Sequence, residues 1–256
     1  MSKILEVSDI SKAFGGLKAL DGNSFSVEKG SITGLIGPNG SGKTTMFNVI
    51  TGYERPDSGT ILFKGEKLTG SSPDKVCRFG IGRTFQLVRV FNRLNLIENI
   101  QVGSRIMDKA ARAERYSPEK INELLDFVGL QKLAREKAGN LSYGQRKLVE
   151  LATIIAQEPE VILLDEPAGG INPTLIQMMA DRIKEINRRG VTFLVVEHNM
   201  DFVMGICDEI TVMERGAAIA TGVPADIRAN QRVLDAYLGG STDEDYGRPL
   251  KTVEGK

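Results

Sequence analysis

Apolar and polar positions follow one rhythm at the start of the chain and another further on. In 4-ILEVSDI-10, 24-SFSVEKG-30 and 60-TILFKG-65 they alternate between turn residues, the period of strands with one wet face, which predicts an antiparallel layer. The runs 31-SITGLIG-37, 161-VILLD-165, 192-TFLVVE-197 and 209-EITVME-214 are denser. The second and third are nearly continuous apolar blocks, the pattern of parallel strands buried on both faces. Between them, residues 174–189 carry Leu175, Met178, Met179, Ile183 and Ile186 at helical spacing, with Gly190 as the stop. Strands alternating with helices of this length predict an α/β fold with a mostly parallel sheet and right-handed crossovers. The block 95–160 breaks that rhythm. It reads as mostly helical, most clearly at 119–129 and 145–157, and predicts a helical subdomain over about 87–160 inserted in a domain spanning 1–240. The polar stretch 241–256 predicts a loose C-terminal tail.

Composition narrows the function classes. With 256 residues, 41% hydrophobic and 26% charged, the chain has room for a core and is too apolar for a disordered protein. Lys plus Arg and Asp plus Glu each number 33, so there is no electrostatic case for a broad nucleic-acid surface. Cys77 and Cys207 sit in no metal-type spacing, which excludes a disulfide framework and favours a reducing compartment. No apolar run reaches the ~18–20 residues that span a bilayer, and the N-terminus lacks a signal-type apolar region. The expectation is a soluble intracellular protein that is still able to dock on a membrane protein.

The candidate chemistry begins at 37-GPNGSGKTT-45, a complete phosphate-loop pattern after a predicted strand and before a predicted helix. Its glycines let successive backbone N–H groups turn toward phosphate oxygens, and the helix N-terminus favours the same anion. Gly37, Pro38, Asn39, Gly40, Ser41, Gly42, Lys43, Thr44 and Thr45 are therefore candidate nucleotide contacts. Lys43 supplies charge to the β- and γ-phosphates and Thr44 a hydroxyl to Mg²⁺. Asp165 and Glu166 end the apolar run 161–164, and ligands of open α/β sheets bind beyond strand carboxyl ends. Asp165 suits Mg²⁺, and Glu166 suits the attacking water. An acidic helix cap is the competing reading, but two adjacent acids after a buried strand, beside a phosphate loop, favour chemistry. His198, the single histidine, follows 193-FLVV-196 and Glu197. That places it at the same strand edge, where it can sense the γ-phosphate.

Together with 141-LSYGQ-145 just upstream of the 161–166 strand, these residues resemble the nucleotide-binding subunits of ABC transporters over roughly residues 3–240. The resemblance implies a P-loop core binding ATP and Mg²⁺, with catalytic Glu166, His198 and Lys43. It implies that Ser142, Tyr143, Gly144 and Gln145 meet the ATP of a second, same or homologous protomer. Gln86 becomes an ATP and Mg²⁺ contact beside Thr44 and Asp165, and Phe14 the aromatic stacked on adenine. Two departures stand out: Tyr143 replaces the usual glycine, and Asn172 in 168-AGGINP-173 replaces a more frequent aspartate.

The segments 80–100, 165–173, 197–216 and 233–240 look like the ATPases of branched-chain amino-acid importers. That resemblance implies a peripheral ATPase on the cytoplasmic face of the plasma membrane, working with permease subunits and a periplasmic or extracellular solute-binding protein, and with no nucleic acid. Leu87, Val88, Val90 and Phe91 read as docking groove or ordinary core in equal measure. A related urea or amide importer is one alternative. A soluble ABC ATPase on nucleic acid or ribosomes is another, although those usually carry paired domains or long coiled coils. A kinase or GTPase reading leaves LSYGQ unexplained, and the chain carries no N-K-x-D guanine-reading motif.

Overall fold

The computed structural model describes residues 2–106, 113 and 115–238; the predicted tail 241–256 lies outside them. Alternating residues place β1 (Lys3–Phe14) and β2 (Leu17–Glu28) in an antiparallel pair around the turn at Gly15 and Gly16. The next elements are β3 (Ile32–Ile36), α1 (Lys43–Ile50), β4 (Ser58–Phe63), β5 (Glu66–Lys67), α2 (Pro73–Arg78), β6 (Ile81–Arg83) and α3 (Leu96–Val102). After them come α4 (Pro118–Phe127), α5 (Tyr143–Ile155), β7 (Val161–Asp165), α6 (Pro173–Arg188), β8 (Thr192–Val196) and α7 (Met200–Ile206). The last are β9 (Glu209–Glu214), β10 (Ala217–Gly222), α8 (Pro224–Ala229) and α9 (Gln231–Leu238).

Two sheets result. The first has the order β2-β1-β4-β5 and is antiparallel, as the alternation predicts. The second has the order β10-β9-β3-β8-β7-β6, parallel except for β10 at its edge. Every residue of β3, β7 and β8 is buried, which is why those runs carry no polar alternation. Helix α1 buries Met46, Phe47, Val49 and Ile50 in a core shared with Leu5, Leu35, Phe63 and Leu163, so it lies between the sheets. On the other side of the parallel sheet, Leu148 and Val149 of α5, Ile183 of α6 and Val203 of α7 pack with Ile162, Leu164 and Val195.

Three elements escaped the periodicity. β6 is three residues long, β10 is built from small residues, and β5 is a two-residue ribbon. The helix expected at 145–157 begins two residues earlier, at Tyr143. Ser142 is its N-cap: its hydroxyl accepts from the Gln145 N–H, while the Gln145 side chain accepts from the Ser142 N–H. That capping box draws a tyrosine and a glycine into the first turn.

Candidate functional site

The parallel order brings the carboxyl ends of β3, β7 and β8 to one edge, and the residues after each strand meet there. After β3 the chain turns through Gly37, Gly40 and Gly42, with φ of 151°, 78° and 102°. Gly37 is obligatory by contact as well, since a Cβ there would stand 2.1 Å from the Met213 carbonyl oxygen. The Lys43 ammonium folds back into the loop, donating to the carbonyls of Gly37 (2.8 Å) and Pro38 (3.0 Å) and to Ser41 Oγ (3.2 Å). Burial lowers its pKa, and the Glu166 and Asp165 carboxylates act to raise it, so the three charges share one electrostatic neighbourhood. Thr44 and Thr45 stand in the first turn of α1, whose N-cap, Gly42, has no side chain to occupy the leading amides.

Asp165 and Glu166 differ sharply in environment. Asp165 is 4% exposed and its Oδ2 lies 3.1 Å from an Arg83 guanidinium nitrogen. Burial raises the Asp165 pKa, and Arg83 opposes that rise. Arg83 also donates to Asn48 Oδ1 on α1 and to Oγ1 of its C-cap, Thr51, each at 2.8 Å, and packs against the rings of Phe47 and Phe85. It therefore locks the end of β7 to the helix that follows the phosphate loop. Glu166 is partly open and holds a left-handed backbone, φ 50°, a strained conformation for a non-glycine residue of the kind concentrated at functional sites. Gln86 Nε2 donates to its Oε2 at 3.2 Å, and His198 Nδ1 stands 3.7 Å from its Oε1. Lys43, Gln86, Asp165, Glu166 and His198 thus converge.

A shell of buried charges that the sequence did not reveal holds this edge in place. Glu197 accepts from the backbone N–H groups of Ala168, His198 and Asn199, tying the segment after β8 to the segment after β7. Lys147 donates to the carbonyls of Glu166 and Pro167. Glu150 accepts from the N–H groups of Phe85 and Arg89, and burial pushes its carboxyl up to about 7. Nothing in the sequence marks these residues as buried. Their signal is three-dimensional only.

The family model for ABC transporters matches residues 20–169, more than half of the chain. The chain belongs to the ABC transporter ATP-binding family. A second model, for branched-chain amino acid ATP-binding cassette transporters, matches residues 219–243. A probable branched-chain amino acid transport ATP-binding protein LivG of Archaeoglobus fulgidus is 40% identical over 94% of this chain and 98% of its own. The high-affinity branched-chain amino acid transport ATP-binding protein BraF of Pseudomonas aeruginosa is 39% identical over 92% and 98%. Among solved structures, an ATP-binding cassette of an ABC transporter in its ADP conformation superposes with a TM-score of 0.84 at 36% identity, covering 93% of this chain and all of that one. ATP hydrolysis is the family's activity, and the chain is an ABC ATPase.

The remaining expected residues fall in two places. Phe14 ends β1, 47% exposed, with the Lys12 ammonium 5.2 Å from its ring centre, and no described contact joins it to the phosphate loop. Ser142, Tyr143, Gly144 and Gln145 open α5 beside the Gln86 segment, because the Tyr143 hydroxyl donates to the Gln86 carbonyl at 2.9 Å. Gly144 is buried, and a Cβ there would lie 2.5 Å from Leu175 Cδ1. In this ABC ATPase any larger residue at 144 would have to push aside the side-chain ends of Leu175 on α6 and of Ile171. Leu87 and Phe91 are exposed at 79% and 55%, while Val90 packs on the core, so the stretch is divided between surface and interior.

Proposed function

We propose that this ABC ATPase binds ATP with Mg²⁺ in a head-to-tail pair of protomers, at the cytoplasmic face of an importer for branched-chain amino acids. The observation that carries the catalytic part is the convergence of Lys43, Gln86, Asp165, Glu166 and His198 on one strand edge. On this reading the loop amides and Lys43 hold the phosphates, Glu166 orients and deprotonates the attacking water, and His198 donates to the γ-phosphate. Thr44, Gln86 and Asp165 suit Mg²⁺, a hard cation that takes few protein ligands beside phosphate oxygens and water. Among the described residues no cluster of three or more His, Cys, Asp or Glu side chains could make an all-protein metal cage, in keeping with that shared mode. When bound, the ion neutralises charge on the β- and γ-phosphates.

The solute rests on the relatives' names and on the match at 219–243; nothing in an ATPase subunit touches it. Among the described residues no helix is long and apolar enough to cross a membrane. The relatives' names as transport ATP-binding proteins support separate permease subunits for the membrane-crossing work, with a solute-binding protein outside. Exposed Leu87 and Phe91, next to Gln86, suit a permease helix docking where nucleotide state is felt. In this assembly Phe14 stacks on adenine and Ser142 faces the partner's γ-phosphate.

The test is Glu166→Gln. Removing the charge while keeping the shape spares ATP binding and slows hydrolysis by roughly 10²–10⁴-fold, the usual loss of a general base. The unhydrolysed ATP then bridges two protomers, and its binding energy becomes association energy. Light scattering is expected to show dimer for Glu166→Gln with ATP, and monomer with ADP or with Ser142→Arg added. Undiminished hydrolysis refutes the role of Glu166, and an ATP-stable dimer that survives Ser142→Arg refutes the sandwich.

A further inference from the structure

Helix α5 carries Tyr143, Lys147 and Glu150 at positions i, i+4 and i+7, which is one face. Each grips backbone on a segment that bears a catalytic candidate. The Tyr143 hydroxyl donates to the Gln86 carbonyl at 2.9 Å. Glu150 Oε1 accepts from the Phe85 N–H (3.4 Å) and the Arg89 N–H (3.2 Å), so Gln86 is bracketed on both sides and held in the middle. Lys147, between them on the helix, donates to the Glu166 carbonyl and, at 3.3 Å, to that of Pro167. The two segments so held meet through their side chains, Gln86 Nε2 donating to Glu166 Oε2.

We propose that this face of α5 is a positioning clamp that sets Gln86 and Glu166 in register with each other and with Ser142 at the helix start. Lys147 and Glu150 are only 5% and 6% exposed, and burying two charges is costly unless their hydrogen bonds are specific. Apolar side chains would pack α5 against the sheet at less cost, so what the charges add is geometry. The segment around Gln86 belongs to no helix or strand, and these bonds replace the ladder it lacks. Glu166 holds a left-handed backbone that its neighbours must enforce, and Lys147 grips the carbonyl of that very residue. Tyr143 gives the departure from LSGGQ a purpose, since glycine has no hydroxyl for the Gln86 carbonyl. Its ring also lies against the loop after Glu166, where a Cβ on Gly170 would come within 3.2 Å of Tyr143 Cε1.

The inference rests on the reading of Gln86 and Glu166 as residues acting on ATP, and the clamp acts through them without touching substrate. Its test uses the full chain with Tyr143→Phe, Glu150→Leu and Glu150→Gln. Amide exchange of residues 85–89 in nucleotide-free protein reads the clamp directly. It is expected to quicken about tenfold in Glu150→Leu and to stay near wild type in Glu150→Gln, which keeps a carbonyl acceptor in place. In steady-state ATPase assays, Tyr143→Phe is expected to lower kcat about threefold to tenfold, the size of one hydrogen bond, with KM for ATP within about twofold. Glu150→Leu loses more, and Glu150→Gln recovers at least half. In the Glu166→Gln background, Tyr143→Phe keeps the ATP-dependent dimer.

Equal exchange and equal kcat in the Leu and Gln variants overturn the clamp. So does loss of the ATP dimer in Tyr143→Phe, which would assign the hydroxyl to the partner's nucleotide. Protection at 85–89 that follows the variants as expected, beside undiminished hydrolysis by Glu166→Gln, upholds the clamp and defeats the catalytic reading of Glu166 instead.

Discussion

Glu150→Gln has an effect on stability whose size and sign follow from the structure. The carboxyl is 6% exposed and takes two backbone N–H bonds. Burial is the largest influence on it, and together with opposing contributions from those bonds and from Lys147 and Arg89 it leaves the group raised from 4.5 to about 7. The difference of about 2.5 pH units, at 1.36 kcal/mol each, is about 3 kcal/mol. Because the folded value lies above the unfolded one, the folded protein binds this proton more tightly. The contribution is fully present below about 4.5 and is lost as pH rises through about 7. Glutamine does not titrate. The stability of wild type relative to Glu150→Gln is therefore expected to grow by about 2–3 kcal/mol between pH 8 and pH 5. Urea unfolding of both proteins at the two pH values measures it, and all other titrating groups cancel to first order in the difference. In melting experiments the same quantity is a divergence of about 4–12 °C. A difference that stays constant with pH would mean that Glu150 ionises as an ordinary surface carboxylate, and would refute the buried environment given to it here.

Two substitutions at the phosphate edge test the assigned roles separately. Lys43→Ala removes the ammonium held by the Gly37 and Pro38 carbonyls and is expected to abolish tight ATP binding; calorimetry showing unchanged affinity would defeat it. His198→Ala is expected to retain ATP binding with strongly reduced turnover, the histidine being largely exposed beside Glu166. Loss of binding with a collapsed fold would make it a structural residue instead.

Legibility in this chain followed how local each cause is. β7 and β8 were readable because burial on both faces leaves only apolar residues, and the phosphate loop because its turn is made by glycines close together in sequence. β6 and β10 were not, since Gly82, Ala217 and Ala218 carry no hydrophobic rhythm and owe their strand to neighbours already in place. The charged shell failed for a related reason. Arg83 meets Asp165 across 82 residues of sequence, and Glu150 meets Phe85 across 65. No spacing rule reaches that far, so a buried ion and a solvated one look the same in the sequence.

Departures from the family pattern show the same principle from the other side. Asn172 in place of aspartate is explained by a local bond: it is the N-cap of α6, its Oδ1 accepting from the Leu175 N–H at 2.9 Å, and asparagine and aspartate cap helices about equally well. The substitution preserves the loop's exit into α6 while removing a charge, so whatever differs at this corner is electrostatic rather than conformational. Tyr143 is explained only in part by local contacts. Within α5 its ring meets the Lys147 ammonium, 5.4 Å from the ring centre, but its hydroxyl donates to the Gln86 carbonyl, 57 positions away. A departure whose cause is local is tolerated because the alternative does the same work. One whose hydroxyl bonds at a distance adds a connection that the glycine form cannot make.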